Sequence, residues 1–435
     1  MSTVCGQQPP RSGDITARIA VRTIDSVAAV APRQWDALVG PDNFYNSHRW
    51  LRALELAHGD TAVVTVSGDG RLLGALPTWP GERDAPLFRL PDLFPELTGS
   101  WPDGYLWLGA RRSVYNELLC VRGPLRTPTL TALMRGALAT ARSRGALATA
   151  RSRGALATAR SRGAAGLVLP YLTGRDAAEL ARTHPRARVL LHDADANLPV
   201  PDGGFAAHLA RMRHGDRTRR RAELRACERA GTAVRWLPLT EETIPVAADL
   251  ITQNRARYGG TADPGWIRRS FAAQHRSGVL GQAVGCFGFR DGRPVAVTVC
   301  YTHHDRLYAR YFGFDYRRAQ PAGEYFVLSY YAPLDYAAAR GLPHLRLAVS
   351  AWRHKTRRGA VLSPLAAVVL PLGHEVCTPE RAAVFNHATA RRWRARCATR
   401  PQALAPEWDH WESIRPTDRP LDGSGEDNPP WQEAT

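Results

Sequence analysis

The stretch that decides the fold is AVGCFGFRDGRPVAVTVCY, residues 283–301. Two runs rich in β-branched and aromatic residues flank the Asp291-Gly292 dipeptide, which is typical of a tight hairpin turn. A helical pattern with a leading tryptophan, Trp266, precedes this hairpin. The same order of helix, strand, Asp-Gly turn and strand occurs at residues 50–77, which end in AVVTVSGDGRLLGALP. The repeated order predicts two similar α/β lobes in tandem.

The length agrees with two lobes, because 435 residues are too many for one ordinary core. We expect an α/β (α+β) fold, in which each lobe is a mixed, mainly antiparallel sheet flanked by helices. A loop at residues 199–204 marks the boundary. The expected organisation is a disordered tail at 1–16, an N-terminal lobe at 17–200, a C-terminal catalytic lobe at 205–400 and a second disordered tail at 405–435.

An exact tandem repeat interrupts the N-terminal lobe at residues 136–162. The nonapeptide GALATARSR occurs three times, beginning at Gly136, Gly145 and Gly154. Such a unit is too short to fold as a solenoid repeat. Two extra copies add about five whole helical turns, so the apolar face would return in phase. We expect a duplication within one helix, either loosely packed or a flexible excursion, with no function of its own.

Charge and cysteine content restrict the class of protein. The formal net charge is +18, and the 58 Lys and Arg residues include a single lysine, Lys355. This charge favours anionic partners, although no nucleic-acid fingerprint is present and most arginines are interpreted as compositional drift. The seven cysteines form no CxxC pair, and neither a signal peptide nor an apolar stretch of membrane-spanning length is visible. We therefore expect a cytoplasmic protein without a membrane span.

Several short motifs in the chain share their order with a known family. They are NFYNSHRW at 43–50, GRLLGALP at 70–77, LYARYFG at 307–313, an aromatic helix with Tyr330 and Tyr331, and HKTRRG at 354–359. Together they resemble the peptidoglycan-biosynthesis-like branch of the GNAT acyltransferase superfamily, which is related to the Fem-type aminoacyl transferases. The resemblance covers roughly residues 40–110 and 205–370.

The resemblance implies two GNAT lobes and transfer of an acyl or aminoacyl group to an amine, with the chemistry in the second lobe. In this superfamily a Q/R-x-x-G-x-G/A loop before a helix holds the pyrophosphate of coenzyme A on backbone N–H groups. Gln320 and Gly323 match that loop, and they are the candidate cofactor-binding residues. Tyr325 departs from the pattern at its final small position, which puts binding of acyl-CoA in question.

Amine acylation needs a base and oxyanion-stabilising donors, and the same region offers candidates. Glu324 is the candidate carboxylate base, although the first turn of any helix favours a glutamate. His354 is a second candidate, as a base or a substrate contact, with an ordinary surface histidine as the alternative. Lys355 is the third catalytic candidate, and both Lys355 and Arg358 are expected to contact phosphate or carboxylate.

The strand at 307–313 supplies the remaining candidate substrate-binding residues. Tyr308 and Tyr311 are interpreted as sharing one face and Arg310 as pointing to the other. The tyrosines line a pocket in one interpretation and pack in the core in the other. His303 and His304 are assigned to a hairpin loop, so no metal site is expected.

Three functions remain open on the sequence alone. The first is an N-acyltransferase that uses acyl-CoA or a similar thioester as co-substrate and a small-molecule or peptide amine as acceptor. The second is a Fem-type transferase that uses aminoacyl-tRNA, in which the basic run Arg217–Arg221 would grip phosphates rather than form a solvated helix face. The third is a non-catalytic protein that binds anionic ligands.

Overall fold

The structure is a computed structural model. It describes residues 19–59, 61–82, 85–97, 101–102, 104–151, 164–260, 263–373 and 375–412, with the backbone alone in 144–151. The tail expected at 1–16 lies outside these residues, as does the part of the C-terminal tail after 412.

The described part of the chain alternates strands and helices. The strands are β1 Ala20–Ile24, β2 Ala62–Gly68, β3 Arg71–Trp79, β4 Tyr105–Leu108, β5 Leu119–Cys120, β6 Gly166–Thr173, β7 Arg188–Pro199, β8 Ala233–Pro238, β9 Ala283–Arg290, β10 Arg293–His303, β11 Arg306–Phe314, β12 His344–Ala348 and β13 Val361–Pro371. The helices are α1 Pro32–Asp36, α2 His48–His58, α3 Leu90–Leu93, α4 Arg126–Arg151, α5 Gly174–Ala181, α6 Gly204–Ala210, α7 His214–Arg229, α8 Thr243–Arg257, α9 Pro264–Ser277, α10 Glu324–Phe326, α11 Ala332–Ala338, α12 Trp352–Thr356, α13 Pro379–Arg396 and α14 Trp408–Glu412. A π-helical segment, Val327–Tyr331, joins α10 to α11.

All the strands belong to one mixed sheet, which confirms the α/β fold class. Their order is β1-β2-β3-β4-β6-β13-β7-β12-β11-β10-β9-β8, with β5 paired to β3. Both predicted Asp-Gly hairpins are present, as β2–β3 and β9–β10. Buried apolar side chains form one cluster on each face of the sheet, so that Leu106 and its neighbour Trp107 belong to opposite clusters.

The sheet runs continuously from the first half of the chain into the second. β13 follows the expected boundary at 199–204, yet it pairs on one side with β6 and on the other with β7. β7 in turn pairs with β12. A late strand therefore completes the sheet of the N-terminal half, because pairing partners are chosen by tertiary packing and not by order along the chain.

Two pairs of neighbouring strands are parallel, and both lose their pairing early. The β4–β6 register ends at Trp107–Val168, and the β11–β12 register ends at Tyr308–Arg346. β11 nevertheless continues to Phe314. Each pair is thus unpaired toward the carboxyl ends of its strands, which is where α/β proteins commonly bind ligands.

The tandem repeat begins inside α4, as expected for a duplication within a helix. α4 contains the first copy and the start of the second, and residues 152–163 lie outside the described part. When the chain is next described, the Ala164 N–H donates to the Ala141 carbonyl at 3.4 Å. Ala164 is therefore hydrogen-bonded beside the end of the first copy.

The disordered tail expected from residue 405 is a wrong prediction for residues 405–412. Trp408 is fully buried, and its Nε1 donates to the Leu362 carbonyl at 2.8 Å. Trp411 is buried as well, and the Trp408 ring lies 5.6 Å from that of Trp393. The polar composition of this region predicts disorder, but its two tryptophans favour burial in a hydrophobic environment.

Candidate functional site

A cavity of about 360 Å³ lies where β11 and β12 lose their register. We call it the wedge cavity. Its walls are residues 309–312 of β11, residues 347–351 at and after the end of β12, and Tyr325, Ser329, Tyr330 and Lys355 from the helices that follow these strands. Most of the lining therefore comes from the stretch that carries the sequence motifs, and it is completed by Leu87, Val114, Ile251, Asn254, Arg255 and Thr298.

The corresponding position in the N-terminal half is filled by the chain itself. Beyond the end of the β4–β6 register, Asn116 forms a parallel bridge with Leu172. The Asn116 backbone N–H donates to the Tyr171 carbonyl at 2.8 Å, and its Nδ2 donates to the Pro170 carbonyl at 2.9 Å. Asn46 Nδ2 donates to Asn116 Oδ1 at 3.0 Å. The two halves share a topology, but in the first this space is occupied by protein.

A β-bulge brings Arg310 to the wedge cavity. Ala309 and Tyr311 pair with successive residues of β10, so Arg310 between them has no partner there. The prediction that Arg310 points away from the tyrosines is wrong, because its guanidinium lies 4.9 Å from the Tyr45 ring and 5.3 Å from the Tyr311 ring. A bulge inserts one residue into a strand and shifts the alternation of faces, and the sequence pattern did not reveal it.

Lys355 lies on the short helix α12, which follows β12. Its side chain is buried, and its Nζ donates to the carbonyl oxygens of Leu347, Ala348 and Val349 at 2.7, 2.9 and 2.6 Å. The ammonium protons are thus taken by the backbone. This geometry differs from the expected contact with a free anion.

The charge of Lys355 is sensitive to its surroundings. Burial lowers the pKa of Lys355 to about 7, against the opposing effect of Asp195 and Asp193. Burial also raises the pKa of Asp193 to about 7. Perturbed groups of this kind concentrate at functional sites.

The backbone that Lys355 binds is strained. Ala348, Ser350 and Ala351 have φ values of 60°, 68° and 47°, which L-residues with a Cβ rarely adopt. We call residues 347–351 the strained turn. Such conformations persist only where the surroundings hold them, and they cluster at ligand and active sites. The three bonds from Lys355 are the visible restraint.

The helix after β11 forms the other wall of the wedge cavity. Its π-helical segment places Ser329 and Tyr330 at the cavity, and π-helical segments are frequent at functional sites. The hydroxyls of Ser329 and Thr298 lie 2.9 Å apart, and those of Tyr325 and Tyr330 lie 3.2 Å apart. The wall therefore presents hydroxyl groups on a largely apolar surface.

Glu324 and the proposed pyrophosphate loop lie outside the wedge cavity and bind each other. The Glu324 carboxylate is fully buried, accepts from Thr232 Oγ1 at 2.9 Å and pairs with Arg290. Its Oε2 also accepts from the Ala322 N–H at 2.6 Å. The Gln320 carbonyl accepts from Arg290 Nη1 at 3.1 Å, and Gly323 caps the helix with a φ of 97°.

The remaining candidates have partners within the protein. Arg358 Nη2 donates to Glu223 Oε2 at 2.7 Å, and its guanidinium lies 3.7 Å from the Phe326 ring. His354 is half-buried with its ring 5.4 Å from the same phenylalanine, and burial followed by the charge of Arg358 lowers its pKa. Tyr308 is buried and donates to the Pro41 carbonyl at 3.1 Å. None of these three lines the wedge cavity.

Sequence reasoning missed some residues that do line the cavity. Ser329 and Arg255 had no distinguishing signal, since a serine in a helix and an arginine in an arginine-rich chain are ordinary. Tyr330 was noted only as part of a motif. The order of strand, helix and strand in the sequence could have indicated the site, because it predicts two parallel strands and a cavity where their pairing ends.

The described residues include no helix that is long and apolar enough to cross a membrane. They also contain no group of three or more His, Cys, Asp or Glu side chains that could hold a metal ion.

Comparison with known proteins places this architecture in a family. The FemAB-like family model, described as peptidoglycan biosynthesis/recognition, matches residues 135–370, which is more than half of the 435 residues. The chain belongs to the FemAB-like family. The resemblance predicted from the motifs is thereby confirmed, and family membership supports an acyl- or aminoacyl-transferase in general terms.

One solved structure, that of FemX, resembles this chain at the level of the fold. The crystal structure of FemX is 12% identical, with a TM-score of 0.51, and the match covers 79% of this chain and 96% of that one. A tandem GNAT protein from the clavulanic acid biosynthesis pathway is 14% identical, with a TM-score of 0.44 over 82% of this chain and 99% of that one. No curated protein matches the chain.

Proposed function

We propose that this protein transfers an acyl or aminoacyl group from an activated ester or thioester to an amine, and that the reaction takes place in the wedge cavity. The observation that carries the proposal is the contrast between the two halves. Both have a parallel strand pair that loses register, but Asn116 fills the first gap and a cavity of about 360 Å³ occupies the second.

The walls of the wedge cavity offer groups that can hold the reactants and stabilise the oxyanion. The amine nitrogen forms a bond to the acyl carbon, the bond from that carbon to the ester oxygen or thiol sulfur breaks, and a proton passes from the amine to the leaving group. The bulge leaves Arg310 without an opposite residue on β10, and we propose that backbone groups at this point bind the oxyanion. The Lys355 bonds hold the opposite wall in place.

We assign Lys355 a positioning role and Arg310 and Tyr311 a substrate-binding role. For Glu324, His354 and Arg358 we propose support of the helix behind the cavity, since their contacts lie within the protein. Tyr308, a residue of β11, is buried, and we assign it a packing role. The proposed site therefore stays in the predicted region of the chain, but several candidate residues there have roles different from those predicted.

Between the two donors, the geometry favours aminoacyl-tRNA over acyl-CoA. A pyrophosphate on the Gln320–Gly323 loop would meet the buried carboxylate of Glu324, which already accepts the Ala322 N–H. These residues therefore do not fit coenzyme A at that loop.

The α7 helix supports the same donor. Its arginines Arg219, Arg221, Arg225 and Arg229 are exposed. α7 is joined through Glu223 to Arg358 at 2.7 Å, and the Arg358 guanidinium lies 5.0 Å from the ring of Tyr330 in the cavity wall. A basic surface beside the cavity suits an RNA backbone, which is bound mainly through its phosphates.

A turnover assay separates the donors. Purified protein is incubated with mixed aminoacyl-tRNA or with acetyl- and longer acyl-CoA, and with a panel of amines. We expect transfer from aminoacyl-tRNA, abolished by RNase. Transfer from acyl-CoA alone would overturn the donor assignment, and no transfer from any donor would favour a non-catalytic binding protein and overturn the proposed function.

A further inference from the structure

A second cavity of about 340 Å³ adjoins the wedge cavity and shares Arg310 and Tyr311 with it. Both halves of the chain line it, through α2 and residues 85–88 on one side and α8 and α9 on the other. Three arginines, Arg112, Arg255 and Arg310, lie in its wall, and no described Asp or Glu does. We call it the arginine cavity.

Two of these arginines lack a carboxylate partner among the described residues, although Arg310 Nη2 donates to the Arg112 carbonyl oxygen at 3.1 Å. Arg112 Nη2 pairs with Glu82 at 2.9 Å. For Arg255 and Arg310, the part of the chain that the structure describes offers no carboxylate within ion-pair distance. The Nε atom of each is buried without an acceptor in the same residues. A buried donor without a partner is costly and calls for a reason.

Tryptophan rings hold these guanidinium groups in place. The Arg255 guanidinium lies 4.2 Å from the centre of the Trp266 ring, and that of Arg112 lies 5.3 Å from it. The Arg310 guanidinium lies 5.9 Å from the Trp50 ring. Stacking on a ring fixes the plane of a guanidinium and leaves its edge free for a planar or tetrahedral oxyanion.

The charges in the arginine cavity are unbalanced. Burial, and then the charges of Arg112 and Arg310, lower the pKa of Arg255. Like charges in a partly enclosed site repel one another, and an anion bound between them would remove that cost while forming charge-assisted hydrogen bonds.

We propose that the arginine cavity binds an oxyanion, a carboxylate or a phosphate, carried by the acceptor molecule whose amine enters the wedge cavity. The role of the amine rests on the proposed function, whereas the anion site stands on the arginines themselves. Leu54, Leu87 and Val114 add an apolar wall that suits an aliphatic segment between the two polar ends. Cavities of about 300–1,000 Å³ hold small molecules, so the acceptor class is a small amine with an acidic group.

Binding of simple probes tests this without turnover. Calorimetric titration of the full chain compares ω-amino acids from glycine to 6-aminohexanoate with alkylamines of matched length. Inorganic phosphate and aminoalkyl phosphates form a second arm that distinguishes phosphate from carboxylate. We expect at least one acidic amine to bind about 10–100-fold more tightly than its neutral counterpart, as one charge-assisted contact allows.

A substitution assigns the effect to the cavity. Arg255 lines both cavities, so the readout is the ratio of the affinity for an acidic amine to that for the alkylamine of matched length, and Arg255→Met should remove most of this preference. The matched control is Arg257→Met, two residues along α8, where the side chain is exposed and lies over the Tyr316 ring outside the cavity. It should behave as the wild type, and circular dichroism confirms that both variants are folded.

Two results would overturn the proposal. One is equal binding of acidic and neutral amines by the wild type across the whole series. The other is an acidic preference that survives in folded Arg255→Met. Failure of the proposed function is a different outcome, because it would leave the acidic preference intact while no donor supports transfer.

Discussion

At the residue scale, Lys355 and the strained turn depend on each other. One buried ammonium binds three successive carbonyls of a segment with three left-handed non-glycine residues. Arginine does not reproduce this, since its planar guanidinium cannot direct three donors to the same points as a compact ammonium. A single lysine is conspicuous in the sequence of an arginine-rich chain. The burial of Lys355 and its hydrogen-bond partners, in contrast, are set by tertiary structure.

The lowered pKa of Lys355 predicts a pH dependence. As the pH rises through about 7, the folded-state ammonium loses a proton and one of its carbonyl bonds, so the turn should loosen. We expect kcat to show a descending limb with an apparent pKa of about 7. Lys355→Arg should be less active and lack that limb, because its charge persists. A Lys355→Arg variant with the rate and profile of the wild type would refute this role.

Glu324 provides a second prediction at this scale. Glu324→Gln should lower the free energy of unfolding by about 1.5–3 kcal/mol, because it weakens the charge-assisted bonds that the buried carboxylate makes with half-buried Arg290 and the Ala322 N–H. The rate per folded molecule should change little. Urea unfolding and an active-fraction assay measure the two quantities, with exposed Glu241→Gln as the control. A large loss of rate in a fully stable Glu324→Gln variant would restore the carboxylate as a catalytic base.

At the element scale, the tandem repeat has a simple structural explanation. Removing residues 145–162 would place Ala164 five positions after Ala141. The hydrogen bond from the Ala164 N–H to the Ala141 carbonyl would then be the Schellman bond that closes a helix before a C-terminal glycine. Gly163 would supply that glycine. Removal of the two extra copies would therefore leave a helix that ends in an ordinary glycine C-cap.

Deletion of residues 145–162 should accordingly be tolerated. We expect the free energy of unfolding to change by less than about 1 kcal/mol, because the entropy of closing a loop grows slowly with its length. Removal of a single copy, 145–153, should be equally neutral. Thermal and urea unfolding provide the measurement, and a loss of several kcal/mol would show that the copies pack against the fold.

Elements differ in how far the sequence predicts them. The hairpins followed from Asp69-Gly70 and Asp291-Gly292, whose left-handed conformations are local properties. The bulge at Arg310 and the π-helical segment did not follow, because both depend on how a strand or helix fits its neighbours. The sequence predicted which segment of the chain carries the candidate site. It did not predict which side chains of that segment line the wedge cavity.

At the scale of the whole molecule, the two halves are held together by a shared sheet and by the late C-terminal segment. β13 lies between β6 and β7, and Trp408 packs beside it through Leu362. Sequence order predicted two lobes, but it could not predict that a strand from the second would complete the first. Such long-range pairing is decided by packing over the entire sheet.

The C-terminal segment should matter for stability. Trp408→Ala removes a fully buried ring and should cost about 3–5 kcal/mol of unfolding free energy. The adjacent exposed Glu407→Ala serves as the control and should cost almost nothing. Equal stability of the two variants would show that this segment is not part of the core.

The central claim is that group transfer takes place in the wedge cavity, and filling that cavity tests it most directly. Ala309→Phe places a ring in the cavity wall, and Ala233→Phe places the same ring on the exposed strand β8. The measurement is the transfer rate from aminoacyl-tRNA and from acyl-CoA, per folded molecule, for both variants. We predict that Ala309→Phe loses transfer by about 100-fold or more, as misplacement at a reacting centre does, while Ala233→Phe keeps the wild-type rate. A folded Ala309→Phe protein with an undiminished rate would contradict the account.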